Sequence, residues 1–405
     1  MDGTPLRTSS GTSDRTYSKT HPWLTFKLDL TRAPYGLWMD LGAIQSKIEH
    51  VANALLPPDV AEELHELYLA KGVHATTAIE GNTLSEQEVR DHIEKRTPLP
   101  ESKSYLGREI ENIEDACNAV GKEVLGGKDA RLTVERIKTF NREVLRDLRL
   151  AEDVVPGEFR RHSVGVVDYR GAPWQDCEFL TERLCRWLDE EMKPPRLELS
   201  VVFSVIRAVM AHLYIAWIHP FGDGNGRTAR LVEFQILLAG RVPSIAAHLL
   251  SNFYNQTRAE YYRQLSAASQ SADGPMAFLA YAVRGLRDAL DEQIERIRTY
   301  QWDVAWRDYV YSLFRGQKGA AADRRKLLAL ALPRAEPRRV PISRLKRLTP
   351  EIAELYAKKT NKTLTRDVNE LQQMQLIRRI GKAVEANRVI LTHVLPGRRT
   401  ASDES

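Results

Sequence analysis

The stretch from residue 219 to residue 230, His-Pro-Phe-Gly-Asp-Gly-Asn-Gly-Arg-Thr-Ala-Arg, decides the fold of this chain. Gly222, Gly224 and Gly226 lie within five positions, so the backbone can turn sharply and approach a ligand closely. The next residues, Arg227 to Leu238, have the apolar spacing of an amphipathic helix. A glycine-rich loop that leads into a helix N-terminus presents free N–H groups and the positive end of the helix dipole, which together bind phosphate. The stretch therefore predicts a phosphate-binding turn.

The other side chains of this stretch add the chemistry of group transfer. Arg227 and Arg230 are three residues apart, so they share a helix face and could hold two phosphates. Asp223 offers a hard oxygen ligand for a phosphate-bound Mg²⁺, and His219 can exchange a proton near neutral pH. A glycine-rich turn before a solvated arginine helix explains each residue singly but explains the set poorly. We interpret the set as an active site that transfers a group from a nucleotide to a hydroxyl.

Two other nucleotide-binding classes are excluded by their motifs. No lysine follows the glycines and G-K-[ST] occurs nowhere in the sequence, which excludes a P-loop. The Lys, HRD and DFG set of protein kinases is also absent.

The same twelve residues match, at every position, the signature HxFx[DE]GNGRxxR of the Fic (filamentation induced by cAMP) domain family. The chain resembles that family from Trp38 to about Arg284. The resemblance implies a mainly α fold, with a helical core and a small β-hairpin flap. It also implies a protein adenylyltransferase, which passes AMP from ATP to a Ser, Thr or Tyr hydroxyl of a target protein or of itself. The alternatives are a de-AMPylating enzyme, transfer of another nucleotidyl group, or a DNA-binding regulator whose core senses a nucleotide.

The resemblance also implies a role for each position. His219 would be the general base that removes the proton of the target hydroxyl, and Asp223 would bind the Mg²⁺ that bridges the α- and β-phosphates of ATP. Phe221 would anchor the loop in the core. The implied phosphate-binding residues are Gly224, Asn225, Gly226, Arg227 and Arg230. The candidates near the base and ribose are Asn255, Tyr261 and Tyr262, for which ordinary helix packing is the alternative.

A second match lies upstream, in Thr76-Thr77-Ala78-Ile79-Glu80-Gly81-Asn82. It resembles the inhibitory motif [ST]xxxE[GN] of the family, here Thr76, Glu80 and Gly81. The resemblance implies that Glu80, from the same chain or from a homodimer partner, pairs with Arg230. A carboxylate on Arg230 takes the charge that a γ-phosphate needs. The alternative is a Gly-Asn pair that merely closes a helix C-terminus.

The segment from Pro156 to Trp174 is short, β-branched and edged by glycines, so it predicts a hairpin. The predicted strand is Val164, Gly165, Val166 and Val167. An exposed edge strand can pair with an extended peptide. In the family this is the place of the flap that docks the target by strand addition; on local sequence alone, the hairpin could equally close a surface.

Apolar spacing predicts helices along most of the chain. The predicted helices are Tyr35 to Leu56, Asp59 to Lys71, Ser85 to Arg96, Ser104 to Leu125, Thr133 to Leu148, Phe179 to Met192, Leu197 to Trp217, Arg227 to Leu238 and a long stretch from Pro275 to about Leu313. The predicted domains are a disordered or extended leader (1–34), a helical region with the inhibitory helix (35–105), a Fic catalytic core (106–285), a helical linker (286–320), a winged-helix-like domain (321–395) and a tail (396–405).

The basic character of the chain belongs to its C-terminal part. From Gly316 to Thr400 there are twenty Lys or Arg against seven Asp or Glu, whereas the whole chain has a net charge of only +5. From Ile342 to Leu391 the order helix, helix, turn, helix, strand, strand predicts a winged helix-turn-helix. Its helix pair would begin with Pro350 to Lys358 and present Leu364 to Gln375, with strands at Ile377 to Ile380 and Arg388 to Leu391. Residues 321–395 are therefore a candidate DNA-binding domain, or a basic protein-docking module.

Composition predicts a cytoplasmic protein without a membrane anchor. The three cysteines form no CxxC pair, which fits a reducing compartment. The first twenty residues lack the apolar core of a secretory signal. The most apolar stretch, Phe203 to Ile218, is too short to span a bilayer and carries Arg207 and His212, so a buried helix is expected.

Overall fold

A computed structural model of the chain describes residues 15–95, 99–166 and 169–391. The chain divides into two compact units, with the boundary between Glu295 and Arg296. Residues 1–14 of the predicted leader and the whole predicted tail lie outside the described residues. The domain bounds given above stay a prediction.

The first unit is built from helices, as expected for a mainly α fold. In chain order they are α1 (Thr16–Thr20), α2 (Tyr35–Ala52), α3 (Pro58–Ile79), α4 (Glu86–Lys95), α5 (Ser104–Leu125), α6 (Val134–Val144), α7 (Cys177–Arg186), α8 (Ser200–Ile218), α9 (Asn225–Ala239), α10 (Ser244–Ala247), α11 (Leu249–Gln256) and α12 (Arg258–Ala268). A long helix, α13 (Gly274–Leu313), follows and crosses the boundary between the units. The predicted hairpin forms between α6 and α7 as β1 (Gly165–Val166) and β2 (Tyr169–Arg170).

Helix α3 is longer than the sequence predicted. The prediction ended it at Lys71 because glycine is a poor helix former, but the helix continues to Ile79 and ends at Glu80. Packing explains the glycine at position 72, since a Cβ there would lie 2.3 Å from Nδ1 of the His248 side chain. The absent side chain lets α3 pack closely on the start of α11, and the helix then delivers Glu80 to the site described below.

Helices α8 and α9 form the centre of the first unit. In α8 every residue from Val202 to Ile218 except Arg207 is buried, and Trp217 has no exposed surface. By length and apolarity alone, Leu197–Ile218 could cross a membrane, and 83% of its most apolar part is buried inside the protein. This burial is the property of a core helix. Trp187 is also buried, whereas Trp38 on α2 is 37% exposed.

The second unit combines helices with a small antiparallel sheet. Its elements are α14 (Ala320–Ala331), β3 (Val340–Pro341), α15 (Pro350–Tyr356), α16 (Asn361–Gln373), β4 (Ile377–Ile380) and β5 (Ala383–Ala386), with the strand order β3-β5-β4. The helices are held together by a buried triad, in which the carboxylate of Asp367 accepts hydrogen bonds from Arg324 (3.1 Å) and from the hydroxyl of Tyr356 (2.7 Å). The assignment of this unit as a winged helix stays a prediction.

The predicted strand at Arg388 to Leu391 was wrong, because these residues form a 3-10 helix. The strand that pairs with β4 begins directly after the turn at Gly381, whose φ of 60° suits glycine. This turn sets the register Ile380 to Ala383 and Ile377 to Ala386. The β-branched run Val389-Ile390 favours a strand by propensity, but the two-residue turn places Ala383–Ala386 opposite β4 instead.

Candidate active site

The loop between α8 and α9 begins where α8 ends, at His219. Its backbone is left-handed (φ 50°, ψ 59°), and its N–H donates to the carbonyl of Ile215 at 2.9 Å. Pro220 cannot continue a helix, and it disfavours helical geometry in the residue before it. The chain therefore leaves α8 abruptly and carries the imidazole of His219 out of the helix axis.

The side chain of Asn225 fixes the shape of the loop. Its Oδ1 accepts from the N–H of Phe221 and its Nδ2 donates to the carbonyl of the same residue, both at 2.9 Å. Phe221 is buried and stacks on Phe159 with ring centroids 5.6 Å apart. Gly224, with a φ of 73°, lies directly before the first residue of α9 and leaves room for Leu145 and Asn141. The loop is thus held rigidly at both ends.

The imidazole of His219 has a defined tautomer. Its Nδ1 lies 3.3 Å from the carbonyl oxygen of Ala216. Because a carbonyl only accepts, Nδ1 carries the proton and Nε2 keeps its lone pair in the neutral ring. Burial lowers the pKa of His219 to about 4, helped by the nearby charge of Arg160. The ring is therefore neutral at physiological pH and able to accept a proton at Nε2.

Arg230 is buried in α9 with a 1% exposed side chain. Its Nη2 donates to Oε1 of Glu80 at 2.5 Å and to the carbonyl oxygen of Thr76 at 2.9 Å. Among the described residues, its Nε and Nη1 have no hydrogen-bond partner. A buried guanidinium with two unpartnered donor atoms has room for a further anionic acceptor.

Arg227 lies one turn earlier on the same helix face. Its Nη1 is 3.1 Å from Oε1 of Glu109, and its Nη2 is 3.3 Å from Oδ1 of Asp223. Within the described parts of the chain, its Nε has no partner. The two arginines therefore stand together, as predicted from their spacing, and each is held by a carboxylate.

Glu80 lies directly over Gly226. A Cβ built on Gly226 would be 2.0 Å from Oε1 of Glu80 and 3.2 Å from Nη1 of Arg230. Burial raises the pKa of Glu80, but the charge of Arg230, the hydrogen bond between them and the charge of Arg227 outweigh this, so the pKa lies below its ordinary value. Glu80 is thus an ionised carboxylate at the N-terminus of α9, where a helix favours an anion.

The turn after Glu80 holds it in place. Gly81 has a φ of 104°, which ends α3. The side chain of Asn82 donates to the carbonyl of Leu106 at 3.1 Å and to Glu109 at 2.9 Å, and it accepts from the N–H of Leu84. Of the predicted motif residues, Thr76 and Glu80 therefore bond to Arg230, and Gly81 forms the helix end that Asn82 anchors to α5.

Asp223 lies on the exposed side of the loop. Its side chain is 49% exposed, and its Oδ1 accepts from the N–H of Gly224 at 2.5 Å. The described residues contain no group of three His, Cys, Asp or Glu side chains that could hold a metal ion. One carboxylate is the usual protein contribution to a Mg²⁺ that is otherwise held by waters and substrate phosphates. Asp223 fits that arrangement, with the phosphates as the missing ligands.

The three candidates for base and ribose contacts are separated by the structure. Tyr261 is buried, and its hydroxyl is 2.8 Å from Nε2 of His212, so it belongs to the helical core. Tyr262 is half-buried, and its hydroxyl donates to the carbonyl of Ile79, next to Glu80. Asn255 is half-buried on α11. Of the three, Tyr262 lies beside Glu80.

The predicted flap is shorter than expected, since its first strand contains Gly165 and Val166 but not Val164. Val167 lies outside the described residues. The flap is tied to the loop, because Arg160 donates to the carbonyl of His219 at 2.7 Å and the N–H of Ala172 donates to the carbonyl of Ile218 at 3.2 Å. The hairpin therefore stands next to the histidine.

Three residues at the site were missed by the sequence interpretation: Glu109, Asn141 and Arg160. Asn141 donates to the carbonyl of Asp223 at 2.9 Å and accepts from the N–H of Gly157. Arg160 is 3% exposed and also donates to the carbonyls of His162 and Ala172. Nothing in the local pattern of Gly157-Glu158-Phe159-Arg160 indicates a buried arginine.

Comparisons with known proteins agree with this geometry. Residues 131–237 match the model of the Fic/DOC family. The chain is 26% identical over 265 residues to protein adenylyltransferase fic-1 of Caenorhabditis briggsae, covering 64% of this chain and 47% of that protein. It is 27% identical over 230 residues to protein adenylyltransferase Fic of Drosophila ananassae, covering 57% of this chain and 41% of that protein. The chain thus spans less than half the length of these curated relatives.

Solved structures show the same fold. A Fic family protein from Desulfovibrio desulfuricans G20 aligns with a TM-score of 0.54 at 20% identity, over 89% of this chain and 97% of that one. Fic-1 (residues 134–508) from C. elegans aligns with a TM-score of 0.50 at 26% identity, over 65% of this chain and 74% of that one. With the signature loop folded between α8 and α9, these matches identify a Fic domain in this chain, at residues 131–237.

Proposed function

We propose that this chain is a protein adenylyltransferase that is restrained by its own Glu80. The observation that carries the proposal is the position of the Glu80 carboxylate. It lies over Gly226, bonds to Arg230 and is within electrostatic reach of Arg227 and His219. A place that accepts a carboxylate beside two arginines, a helix N-terminus and a neutral histidine suits a nucleotide phosphate next to a proton acceptor. The names of the relatives support the same activity.

In the proposed reaction, the hydroxyl oxygen of a target Ser, Thr or Tyr attacks the α-phosphorus of ATP. Nε2 of His219 takes the hydroxyl proton, the new P–O bond forms, and the bond to the pyrophosphate oxygen breaks. The fixed tautomer of His219 supports this role, because Nε2 is the free acceptor. The target then carries AMP, and pyrophosphate leaves.

The remaining site residues would hold the nucleotide. Gly224, Asn225 and Gly226 would offer N–H groups, and Arg227 and Arg230 would neutralise the terminal phosphates. A Mg²⁺ bound by Asp223 and the phosphates would supply further charge neutralisation. The flap would hold an extended segment of the target along β1.

The restraint by Glu80 follows from competition for Arg230. While Nη2 is bonded to Glu80, a terminal phosphate meets a carboxylate at 2.5 Å from the same nitrogen. A phosphate and a carboxylate on the same guanidinium repel each other, so ATP binds weakly or in an unproductive pose. The contact lies within one chain, and control by a homodimer partner stays a prediction.

The test is self-labelling with ATP and Mg²⁺. Glu80→Gly is expected to raise AMP incorporation above the wild-type level, and His219→Ala in the same background is expected to abolish it. Mass spectrometry after incubation with mixed nucleotides identifies the group transferred. If Glu80→Gly labels no more than wild type, the restraint is wrong; if a pre-modified protein loses AMP faster than it gains it, the enzyme works in reverse.

We also propose that the second unit binds duplex DNA. The exposed face of α16 carries side chains that can contact phosphates and base edges: Lys362, Arg366, Asn369, Gln372 and Gln373. Its one exposed carboxylate, Glu370, lies 3.4 Å from Arg325. Strand β4 adds Arg378 and Arg379, and the turn that follows it adds Lys382, all of them exposed. This surplus of positive charge favours nucleic acid, rather than another protein, as the partner of the second unit.

A gel shift of the full chain at increasing salt tests DNA binding. Arg366→Ala is expected to weaken binding and to reduce the salt slope by about one. Arg298→Ala, an exposed arginine on α13, serves as the charge-matched control. Binding that is absent at low salt, or equally weakened by both variants, would reject the proposal.

A further inference from the structure

The segment Arg15–Phe26, called here the N-terminal strap, is anchored at both ends. At one end, the N–H of Tyr17 donates to Oδ2 of Asp176 at 2.8 Å, and the guanidinium of Arg15 lies 3.9 Å from the ring centroid of Phe179. At the other, the N–H of Phe26 donates to the hydroxyl of Tyr214 at 3.0 Å. Tyr17 and Phe26 are both buried. The strap therefore joins the start of α7 to the middle of α8.

Between its anchors the strap reaches the flap through His21. This histidine is 6% exposed, and its Nε2 lies 3.0 Å from the carbonyl oxygen of Arg170 in β2. A carbonyl only accepts, so Nε2 carries the proton and donates it. The side chain of His21 therefore donates a hydrogen bond to the backbone of β2, a strand of only two residues.

The register of the flap shows which edge this bond occupies. The N–H of Gly171 donates to the carbonyl of Val164 at 3.2 Å, so residues 164 and 171 form a hydrogen-bonded pair. In an antiparallel ladder such pairs alternate with pairs whose backbone groups point outwards. Gly165 and Arg170 are the next pair. Their N–H and C=O groups therefore point away from each other, towards the two outer edges of the hairpin.

The two outer edges are in different states. On the outer edge of β2, the carbonyl of Arg170 is taken by His21. On the outer edge of β1, Gly165 is exposed, and its backbone N–H and C=O have no hydrogen-bond partner among the described residues. An incoming strand can therefore pair along β1, while the strap holds β2 from behind.

We propose that the N-terminal strap fixes the flap through the bond from His21 to Arg170, so that the edge of β1 is presented to a target segment beside His219. His21 is a positioning residue and touches no substrate. Arg160 couples the two parts, because it bonds both the carbonyl of His219 and the far end of the hairpin at Ala172. The presentation of a target rests on the proposed transferase function, whereas the fixing of the flap does not.

Hydrogen exchange of the full chain, read by mass spectrometry, tests the fixing step. His21→Ala is expected to speed exchange in peptides covering 160–172 by about three- to tenfold, the effect of losing one hydrogen bond. His21→Gln, which keeps a donor, is expected to restore part of the protection. His50→Ala, an exposed histidine on α2, is the control. Unchanged exchange in the flap, or an equal increase in α8 and α9, would overturn the proposal.

Labelling in the Glu80→Gly background tests the presentation step. Adding His21→Ala is expected to lower AMP transfer to protein by about fivefold or more through misplacement of the acceptor. The affinity for ATP with Mg²⁺ is expected to change by less than about twofold, because residues without shared contacts are only weakly coupled. Equal transfer rates with a loosened flap would overturn the presentation. If Glu80→Gly alone transfers no AMP, the transferase proposal has failed, and the exchange experiment still decides the strap.

Discussion

The carboxylate of Glu80 fills the space over Gly226 that a side chain would otherwise occupy. Oε1 would lie 2.0 Å from a Cβ at position 226, and it is 2.5 Å from Nη2 of Arg230. The missing side chain of Gly226 therefore leaves space for the carboxylate of Glu80. In the proposed reaction, a phosphate of ATP would take the same space.

Glu80→Gln removes the charge of the inhibitory side chain and keeps its size. We expect ATP to bind about tenfold more tightly, since a charge-assisted hydrogen bond contributes about 1.5–3 kcal/mol and the carboxylate is partly solvated. Titration calorimetry with Mg²⁺ and ATP measures this in a His219→Ala background, which prevents turnover. Glu94→Gln, in another ion pair of 2.5 Å on α4, is the control. Equal affinities in the two variants would contradict the competition.

Gly226→Ala adds a methyl group at the place that both anions use. The new Cβ would force Glu80 away from Arg230, but it would also block the approach of a phosphate to the N-terminus of α9. We therefore expect displacement of Glu80 without activation, and transfer lower by about a hundredfold even beside Glu80→Gly. Radiolabelled ATP incorporation measures the loss. An active Gly226→Ala enzyme would mean that the phosphate does not approach this glycine.

Gly72→Ala tests how helix α3 delivers Glu80. The added Cβ would meet the side chain of His248 at 2.3 Å, so α3 must shift outwards. We expect a loss of about 1–3 kcal/mol in the free energy of unfolding and a gain in AMP transfer without any change at the site. Gly42→Ala on α2, where no described atom lies within 4 Å, is the matched control and should be neutral or slightly stabilising. Activation by both variants would point to a general loosening.

The depressed pKa of His219 predicts the acid side of the pH profile. A protonated ring cannot take the hydroxyl proton, so transfer falls as the pH falls through the pKa. With that pKa lowered to about 4 by burial, we expect the rate of the Glu80→Gly enzyme to hold between pH 8 and about 6.5, the ordinary histidine value. Initial rates at saturating ATP across pH 5–8 provide the check. A rate that halves near pH 7 would mean that the ring is solvated in the active state.

The same shift affects stability in a defined direction. The unfolded chain binds a proton at His219 below about pH 6.5, whereas the folded chain does not until about pH 4. The unfolded state therefore binds more protons in this window, and the free energy of unfolding decreases as the pH falls through it. Comparing wild type with His219→Gln in urea at pH 5 and pH 7 should show a smaller decrease in the variant.

Local patterns predicted the parts of the fold that local physics determines. Helix Ser104–Leu125 has the predicted bounds because its apolar face is continuous, and β4 has the predicted bounds because Gly381 marks its turn. The error at Arg388 to Leu391 has the opposite origin. Strand propensity favoured that run, but the partner of β4 is chosen by the length of the turn.

The site was predictable where chemistry depends on spacing and unpredictable where it depends on long-range packing. The pairing of Glu80 with Arg230 was expected because two motifs of the sequence resemble motifs of the Fic family. Glu109 and Arg160 carry no local signal, because a carboxylate on α5 and an arginine before the flap become site residues only when the chain is folded. Tyr261 shows the converse, since a promising position turned out to face His212 in the core.

In the proposed restraint, the pairing of Glu80 with Arg230 within one chain would also determine how the inhibition responds to protein abundance. A tethered group acts at a fixed local concentration, which dilution does not change. The closed fraction therefore lowers the apparent nucleotide affinity by a constant factor at every level of expression. A cell that makes ten times more of this protein would hold the same proportion of it silent, and release would require a change in nucleotide supply or in the position of α3.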